Sequence, residues 1–485
     1  MEKQSTKKNF TFQILYQLII LVLPLVLSPY LTRVLGETSL GVYSFTYSIG
    51  YYFVIAAMLG ISKYGQRIIA SRRNDETSLR KTFWSLYSLH ILLSFVSLSG
   101  FYVFSIFQSE NNIIYYIQGI YVASAIFDIT WLFYGLENFK SVVIKNLLIK
   151  LISTVLIFVF VKAENHLWIY TLIMSLSIFF GHLVLLPKAC SNIKPIKFCF
   201  SDMREHIKPL FMLFVAVVAS TLYTVFDKTL IGIIVDKENV AFYEYAYKII
   251  QIPGSIILVI GTVLFPKSCA CYAVGDTEGM KKYFKFALIF TYFISIGSIL
   301  GLLSISDLLV HEYYGNNFMP SSGILKCLTP LILVITFGDI IRTQFLIPMK
   351  KDFEYILIMV LIAIINVILS TIFISKIGVY GAVIGTLAAE TIGTISQTIL
   401  CRKNIDFKMV IRCSLPFIFS GFIMHSTIEL IKQFMNTGIA ALIIQVMCGG
   451  ITYCIFSLLY LYAIDKDIIF YLFKKRHIDR FNIIY

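Results

Sequence analysis

Ten charged residues stand inside long apolar stretches of the sequence. Five are acidic and five are basic: Asp128, Asp227, Glu244, Asp339, Glu390, Lys150, Lys228, Lys248, Lys326 and Arg342. A charge at the centre of a bilayer costs about 2.5–3.5 kcal/mol, so such residues usually face an interior cavity or one another. Carboxylates there are suited to taking up a cation or a proton, whereas lysine and arginine are suited to binding an anion such as phosphate.

Two of these acid–base combinations are close together in the sequence. Glu244 and Lys248 are four residues apart, and Asp339 and Arg342 are three apart. Residues at these spacings are neighbours on the surface of one helix, so local ion pairing is a sufficient explanation for them. The spacing leaves open whether these four residues only neutralise one another or also contact a ligand.

Other charged residues lack a local partner. Lys150, Asp128 and Glu390 have no opposite charge within four positions, and the adjacent residues Asp227 and Lys228 point in different directions on a helix. This isolation favours a bound ligand, a proton or a partner on another helix.

Arg33 lies just after an apolar run that contains Pro24 and Pro29. Because proline cannot donate a backbone hydrogen bond, it loosens a helix, and a bent first helix could hold a cation at a gate. An arginine at this position also suits an anchor that reaches the lipid headgroups. The two apolar-stretch histidines, His90 and His182, are interpreted as hydrogen-bonded packing residues in preference to a proton relay.

The elements that must position these residues are transmembrane helices. Of the 485 residues 58% are hydrophobic, the mean hydropathy is +0.81, and the apolar runs are about twenty residues long, as a bilayer-spanning helix requires. The predicted spans are 12–34, 41–62, 82–107, 112–135, 141–162, 166–187, 209–235, 240–265, 284–306, 322–348, 354–375, 378–400, 411–431 and 439–463. No cleavage site follows the first run, which is therefore predicted to be a retained span.

Loop charges orient these spans. With the N-terminus in the cytosol, 31 of the 41 basic residues fall on the cytosolic side, and the outer loops hold only five. This asymmetry predicts an all-α polytopic protein of about fourteen helices with both termini cytoplasmic.

A weak internal repeat at an offset of about 200 residues accompanies the spans. "GVYSF" is matched by "AFYEY", which aligns Tyr43 with Tyr243 and makes Lys228 the counterpart of Arg33. Six spans return the chain to the same side, so two copies would be parallel lobes. We expect an N-terminal lobe over 1–200, a C-terminal lobe over 201–405, and a final helix pair with a basic tail over 406–485.

Several function classes are disfavoured. The sequence contains no nucleophile triad, P-loop or dinucleotide-binding motif, and its longest loops run to only about twenty residues, so we expect no enzyme activity and no cofactor or metal. The net charge of +14 is spread over many loops instead of forming one stripe, which argues against a nucleic-acid partner.

Several segments together resemble one known family. "LSPYLTRVLGETSLGVYSF", "FDITWLFYGLENFK", "FDKTLIG", "AFYEYAYKI", "IPMKKDFEY" and "GVYGAVIGTLAAE" are similar, in this order, to segments of the Wzx-type polysaccharide repeat-unit flippases. These flippases are a branch of the multidrug/oligosaccharidyl-lipid/polysaccharide (MOP) exporter superfamily. The resemblance extends over nearly the whole chain.

The resemblance implies a two-lobed bundle in the bacterial cytoplasmic membrane. Its substrate would be an undecaprenyl-diphosphate-linked oligosaccharide, moved from the inner to the outer leaflet by ion-coupled alternating access for capsule or O-antigen assembly. Implied partners are membrane lipids, a coupling H⁺ or Na⁺, a polysaccharide polymerase and glycosyltransferases. The candidate substrate-binding residues are Arg33, Lys150, Lys228, Lys248 and Arg342, and the candidate ion-coupling residues are Asp128, Asp227, Asp339 and Glu390.

Three alternatives stay open at the level of sequence. Two belong to the same superfamily: a multidrug extruder that accepts amphipathic cations, and a flippase for the peptidoglycan precursor lipid II. The third is a membrane scaffold for glycosyltransferases, which the intramembrane charges and the interrupting prolines disfavour.

Overall fold

The protein is helical throughout the part that the computed structural model describes, which is residues 23–194, 196 and 200–464. The helices are α1 (23–34), α2 (Gly36–Met58), α3 (Ile61–Arg72), α4 (Glu76–Ile106), α5 (Asn112–Ser124), α6 (Thr130–Gly135), α7 (Phe139–Phe160), α8 (Leu167–Leu183), α9 (Leu186–Asn192), α10 (Phe200–Ile234), α11 (Lys237–Ala273), α12 (Thr277–Tyr314), α13 (Pro320–Ile341), α14 (Asp352–Ile377), α15 (Val379–Cys401), α16 (Phe407–Phe434) and α17 (Ile439–Ile464).

Twelve helical stretches in the described residues are long and apolar enough to cross a membrane. Each coincides with one of the twelve predicted spans other than 12–34 and 209–235. The first of these begins outside the described residues, and the second lies in α10, several of whose side chains also fall outside them. The chain is thus a multi-pass membrane protein, while the count of fourteen and the position of the termini stay predictions.

Two compact units divide the chain. Unit 1 comprises Met1–Glu244 and Ser370–Ala382, and unit 2 comprises Tyr245–Leu369 and Val383–Tyr485. The sequence-based division at residues 200 and 405 stays a prediction.

Unit 1 has a buried aromatic core where α3, α4 and α6 meet. Trp131 and Phe83 are almost completely buried there, with ring centroids 5.6 Å apart. A Cβ atom at Gly65 would lie 2.6 Å from the Trp131 ring, so only glycine allows α3 to approach this closely. Gly60, at φ +79°, permits the sharp break between α2 and α3.

A second break in unit 1 separates α5 from α6. After Ser124 the chain makes a 3-10 turn over Ala125–Phe127, Asp128 is extended, and α6 begins at Thr130. The Oδ1 atom of Asp128 accepts hydrogen bonds from the Thr130 backbone N–H at 3.0 Å and from its hydroxyl at 2.6 Å. The carboxylate is thus held by the first residue of the new helix, in the middle of a predicted span.

In unit 2, α12 packs against α13, α16 and α17 around a core that includes Phe284, Phe345 and Phe417. The end of α13 widens into a π-helical turn over Arg342–Leu346. Such turns are frequent at functional sites because they redirect side chains along a helix.

Candidate functional site

Among the described residues of unit 1, one enclosed ion pair joins two helices. The Lys228 ammonium of α10 pairs with Oε2 of Glu244 on α11, and the two side chains are 19% and 17% exposed. Next to it, Asp227 is 3% exposed and its Oδ2 accepts a hydrogen bond from the Tyr243 hydroxyl at 3.1 Å. Nothing in the spacing predicts the Lys228–Glu244 contact, because sixteen positions and a turn separate the two residues.

A row of tyrosines lies beside this pair. Tyr43, Tyr47 and Tyr51 recur every four residues along α2, and Tyr121 of α5 stacks on Tyr47 with ring centroids 4.8 Å apart. Electrostatic interactions link Tyr51 to Lys228 and Tyr47 to Glu244. We call these four residues the tyrosine row. Such rings combine apolar faces with hydroxyl groups that can form hydrogen bonds.

The other predicted cations of unit 1 have different surroundings. Arg33 is exposed, and its Nη1 donates to the Pro29 carbonyl 3.2 Å away, one turn earlier on α1. Lys150 is half-buried on α7, and within the described part of the chain it forms no ion pair. Arg33 therefore donates back to its own proline-containing helix, whereas Lys150 has no acidic partner in the described part of the chain.

Asp128 has partners on other helices that the sequence did not reveal. Its Oδ2 lies 3.9 Å from Nε2 of His182 on α8, and it interacts electrostatically with His90 on α4 and Lys145 on α7. His90 is fully buried and Lys145 is 7% exposed. We call these four residues the Asp128 cluster.

The interpretation of the two histidines as hydrogen-bonded packing residues fits His182 and does not fit His90. His182 Nδ1 does have such a contact, 3.0 Å from the Ser124 carbonyl. Neither ring nitrogen of His90, however, has a hydrogen-bond partner among the described residues, although a buried imidazole normally finds one. Lys145 carried no sequence signal, because it lies only four positions after the start of the predicted span at 141, where a lysine is expected to reach the membrane surface.

In unit 2 the predicted local pair is confirmed. Arg342 contacts Asp339 at 2.6 Å and donates a 3.0 Å hydrogen bond to the Tyr355 hydroxyl, and it interacts electrostatically with Glu390. Tyr355, on α14, carried no sequence signal. This arrangement provides the guanidinium with a counter-charge and a neutral acceptor.

The two remaining intramembrane lysines are also in unit 2. The Lys248 ammonium lies 3.9 Å from the centre of the Tyr245 ring, in cation–π geometry. Lys326 pairs with Asp307 at 2.6 Å, with both side chains more than one third exposed. The Lys326 side chain, 37% exposed, is therefore more solvated than those of Lys228 and Arg342, which are 19% and 25% exposed.

A buried histidine also lies at the start of α10, before the predicted span 209–235. The Tyr64 hydroxyl is 2.8 Å from His206 Nδ1 and the Ser85 hydroxyl 3.3 Å from Nε2. Burial lowers the pKa of His206, since it disfavours the charged imidazolium. This histidine therefore has contacts at both nitrogens, unlike His90.

Family models match the chain over most of its length. The model described as "Polysaccharide biosynthesis protein" matches residues 6–269. The chain belongs to this polysaccharide biosynthesis family. A second model, described as "Lipid II flippase MurJ", matches residues 141–462. The resemblance stated from the sequence is thereby confirmed at the level of the MOP superfamily.

Individual relatives agree with this placement. A Shigella dysenteriae protein named "Putative O-antigen transporter" is 25% identical over 391 residues, which cover 80% of this chain and 97% of the relative. An Escherichia coli (strain K12) protein of the same name is 23% identical, with coverages of 83% and 98%.

Solved structures share the fold. The lipid II flippase MurJ in an inward closed conformation has a TM-score of 0.74 and 20% identity, covering 94% of this chain and 100% of MurJ. An inward-facing multidrug transporter of the MATE family has a TM-score of 0.57 and 14% identity, with coverages of 80% and 94%. At these identities the likeness establishes a common transporter fold and no common substrate.

Proposed function

We propose that this polysaccharide biosynthesis family member is a flippase. It moves undecaprenyl-diphosphate-linked oligosaccharide repeats from the inner to the outer leaflet of the bacterial cytoplasmic membrane, for capsule or O-antigen assembly. The names of its relatives and the MOP fold support a transporter of lipid-linked saccharides. The lipid tail can stay in the bilayer, so only the diphosphate and the sugars need a polar route.

The observation that carries the proposal is the Lys228–Glu244 pair beside the tyrosine row. A diphosphate can displace Glu244 and accept charge-assisted hydrogen bonds from Lys228, while the aromatic faces pack against sugar rings. When no substrate is bound, Glu244 pairs with Lys228, and this pairing limits the energetic cost of the half-buried lysine charge. Arg33, Lys150, Lys248 and Arg342 are proposed as further anion contacts along the route.

The transport step is proposed to be ion-coupled alternating access. A carboxylate that gains and loses a cation during the cycle changes the relative energies of two conformations by its difference in affinity for that cation. The candidates are Asp128, Asp227, Asp339 and Glu390. Of these, Asp339 already has a close cationic partner, so it is the least available for coupling.

Reconstitution into liposomes tests the flippase. A fluorescent undecaprenyl-diphosphate oligosaccharide that becomes protected from an external glycosidase reports translocation. Because a hydrogen bond to a charged group contributes about 1.5–3 kcal/mol, Lys228→Ala should slow translocation roughly 10- to 150-fold. Lys237→Ala is the matched control, since its pair with Glu110 in the same unit is far more exposed. Its rate should equal that of the wild type.

Two results would redirect the proposal. Efflux of a cationic dye without lipid translocation identifies a multidrug extruder. The match to the lipid II flippase model also makes lipid II a specific second candidate. Protection of labelled lipid II, together with rescue of cell-wall synthesis in cells depleted of their own lipid II flippase, would identify that function.

A further inference from the structure

We infer that the Asp128 cluster in unit 1 is a proton-binding site, and that the proton taken up there is the coupling ion. The coupling part of this inference rests on the proposed flippase function. The proton-binding part stands on the geometry of the cluster alone.

The hydrogen-bond geometry determines which nitrogen of His182 is open to a proton. Nδ1 lies 3.0 Å from the Ser124 carbonyl, and a carbonyl oxygen can only accept, so Nδ1 carries a hydrogen and donates it. In the neutral imidazole the other nitrogen, Nε2, then has a lone pair instead of a hydrogen. That lone pair faces Oδ2 of Asp128.

Two acceptors therefore face each other. Nε2 and Oδ2 are 3.9 Å apart, which is too long for a hydrogen bond. The other carboxylate oxygen, Oδ1, is already held by the backbone N–H and hydroxyl of Thr130. A single proton placed between Nε2 and Oδ2 would convert this contact into a charge-assisted hydrogen bond of about 2.8 Å.

The remaining charges around the site balance before the proton arrives. Lys145, 7% exposed, offsets the Asp128 carboxylate electrostatically, and His90 is fully buried with no hydrogen-bond partner in the described residues. Tyr87 is the ring neighbour of His90, with centroids 6.3 Å apart. The other two helices packed against this turn, α2 and α5, contain one charged residue between them, Glu37 in the first turn of α2.

The position of the site explains how a proton would act on transport. The cluster lies where α5 is interrupted, and protonation would draw α8 toward this break by about 1 Å, the difference between 3.9 Å and a charge-assisted hydrogen bond. Tyr170, on the same helix as His182, packs on Tyr43 with ring centroids 4.6 Å apart. A shift of α8 would therefore also displace the tyrosine row, which is the proposed sugar contact.

Two substitutions distinguish a role of the cluster in proton binding from a role in packing. His182→Asn keeps a side-chain N–H near the position of Nδ1, so it can still donate to Ser124, but it removes Nε2. Asp128→Asn keeps an acceptor for Thr130 and places an N–H group opposite Nε2, which imitates the protonated pair. His425→Asn is the matched control, because His425 is a half-buried histidine of unit 2 whose Nδ1 bonds to Ser304 at 2.6 Å.

The first measurement is a ¹⁵N-histidine NMR titration of the protein in nanodiscs. One histidine resonance should change as the pH is lowered, should be missing in His182→Asn, and should respond differently in Asp128→Asn, which has lost the carboxylate. His425→Asn should leave that resonance unchanged. If His182 stays neutral over the whole range, the cluster is not a proton site and the inference is wrong.

The second measurement is the leaflet distribution of the labelled lipid in liposomes under a pH gradient. Coupling to one proton should shift this distribution about tenfold for each pH unit in the wild type and in His425→Asn, and not at all in His182→Asn. Translocation that follows a Na⁺ gradient and ignores pH overturns proton coupling while the flippase stands. Absence of any translocation rejects the flippase and its coupling, and the NMR titration still decides the proton site.

Discussion

The Asp128 cluster of unit 1 and the Asp339–Arg342 pair of unit 2 are two solutions to placing charge inside a membrane protein. In unit 2, acid and base are three residues apart on one helix and in direct contact at 2.6 Å, with Tyr355 accepting a further hydrogen bond. In unit 1, the carboxylate meets side chains from three other helices and leaves a 3.9 Å gap to His182. A closed pair stabilises one structure, whereas a cluster that lacks a proton can change state.

The largest expected effect is on stability, when the closed pair is broken. Asp339→Ala leaves Arg342 without its adjacent counter-charge, and we expect the free energy of unfolding to fall by about 2–3 kcal/mol, somewhat less than the roughly 3–5 kcal/mol of fully buried pairs. Asp128→Asn keeps its acceptor for Thr130 and should cost less than about 1 kcal/mol. Equal losses in the two variants would remove the distinction between the pair and the cluster.

The molecule offers a separate probe for each unit. All three tryptophans, Trp84, Trp131 and Trp168, belong to unit 1, so their fluorescence reports its unfolding. Cys401 and Cys413 are buried in unit 2, so their reaction with a thiol-specific dye reports on that unit. Asp339→Ala should accelerate the thiol reaction more than it shifts the tryptophan signal.

A smaller effect concerns acid sensitivity, which should concentrate in unit 1. Burial lowers the pKa of folded His206, so below about pH 6.5 the unfolded chain binds more protons than the folded one. Stability should therefore fall as the pH falls, by at most about 1.4 kcal/mol per pH unit for this one group. The tryptophan-detected melting temperature, measured from pH 7.5 down to pH 5 in detergent, checks this expectation.

His206→Asn should flatten that pH dependence, and His425→Asn in unit 2 should not. If both variants keep the slope of the wild type, His206 is not its source, and the two histidines of the Asp128 cluster, His90 and His182, are to be substituted next.

The smallest expected effect concerns a second ion pair with the same i, i+3 spacing as Asp339 and Arg342. Lys432 and Glu429 on α16 are also three residues apart. Lys432 Nζ lies 2.6 Å from Glu429 Oε1, but the two side chains are 30% and 47% exposed. Lys432→Ala should reduce the free energy of unfolding by only about 0.3–0.5 kcal/mol, because water screens the pair. A loss as large as that of Asp339→Ala in the thiol assay would mean that spacing, and not burial, sets the energy of these pairs.

Particular residues show how far sequence reasoning reaches. Asp339 and Arg342 were recognisable because a helix fixes the distance between positions three apart. The family and the superfamily were recognisable from short segments such as "FDITWLFYGLENFK". The partners of Asp128 were not recognisable, because His90, Lys145 and His182 lie on three different helices. The residue spacing within one helix does not determine which face a neighbouring helix turns toward it.

The sequence by itself determined that this chain crosses the membrane many times, where twelve of its described spans run, and which charges they carry. These properties follow from the length of each apolar run and from the cost of placing polar groups in hydrocarbon, and both act within one segment. Only the tertiary structure decided that Lys228 meets Glu244, that tyrosines of α2 and α5 stack, and that a break after α5 holds Asp128 opposite His182. Contacts between helices depend on how side chains of separate segments pack together, which no single segment encodes.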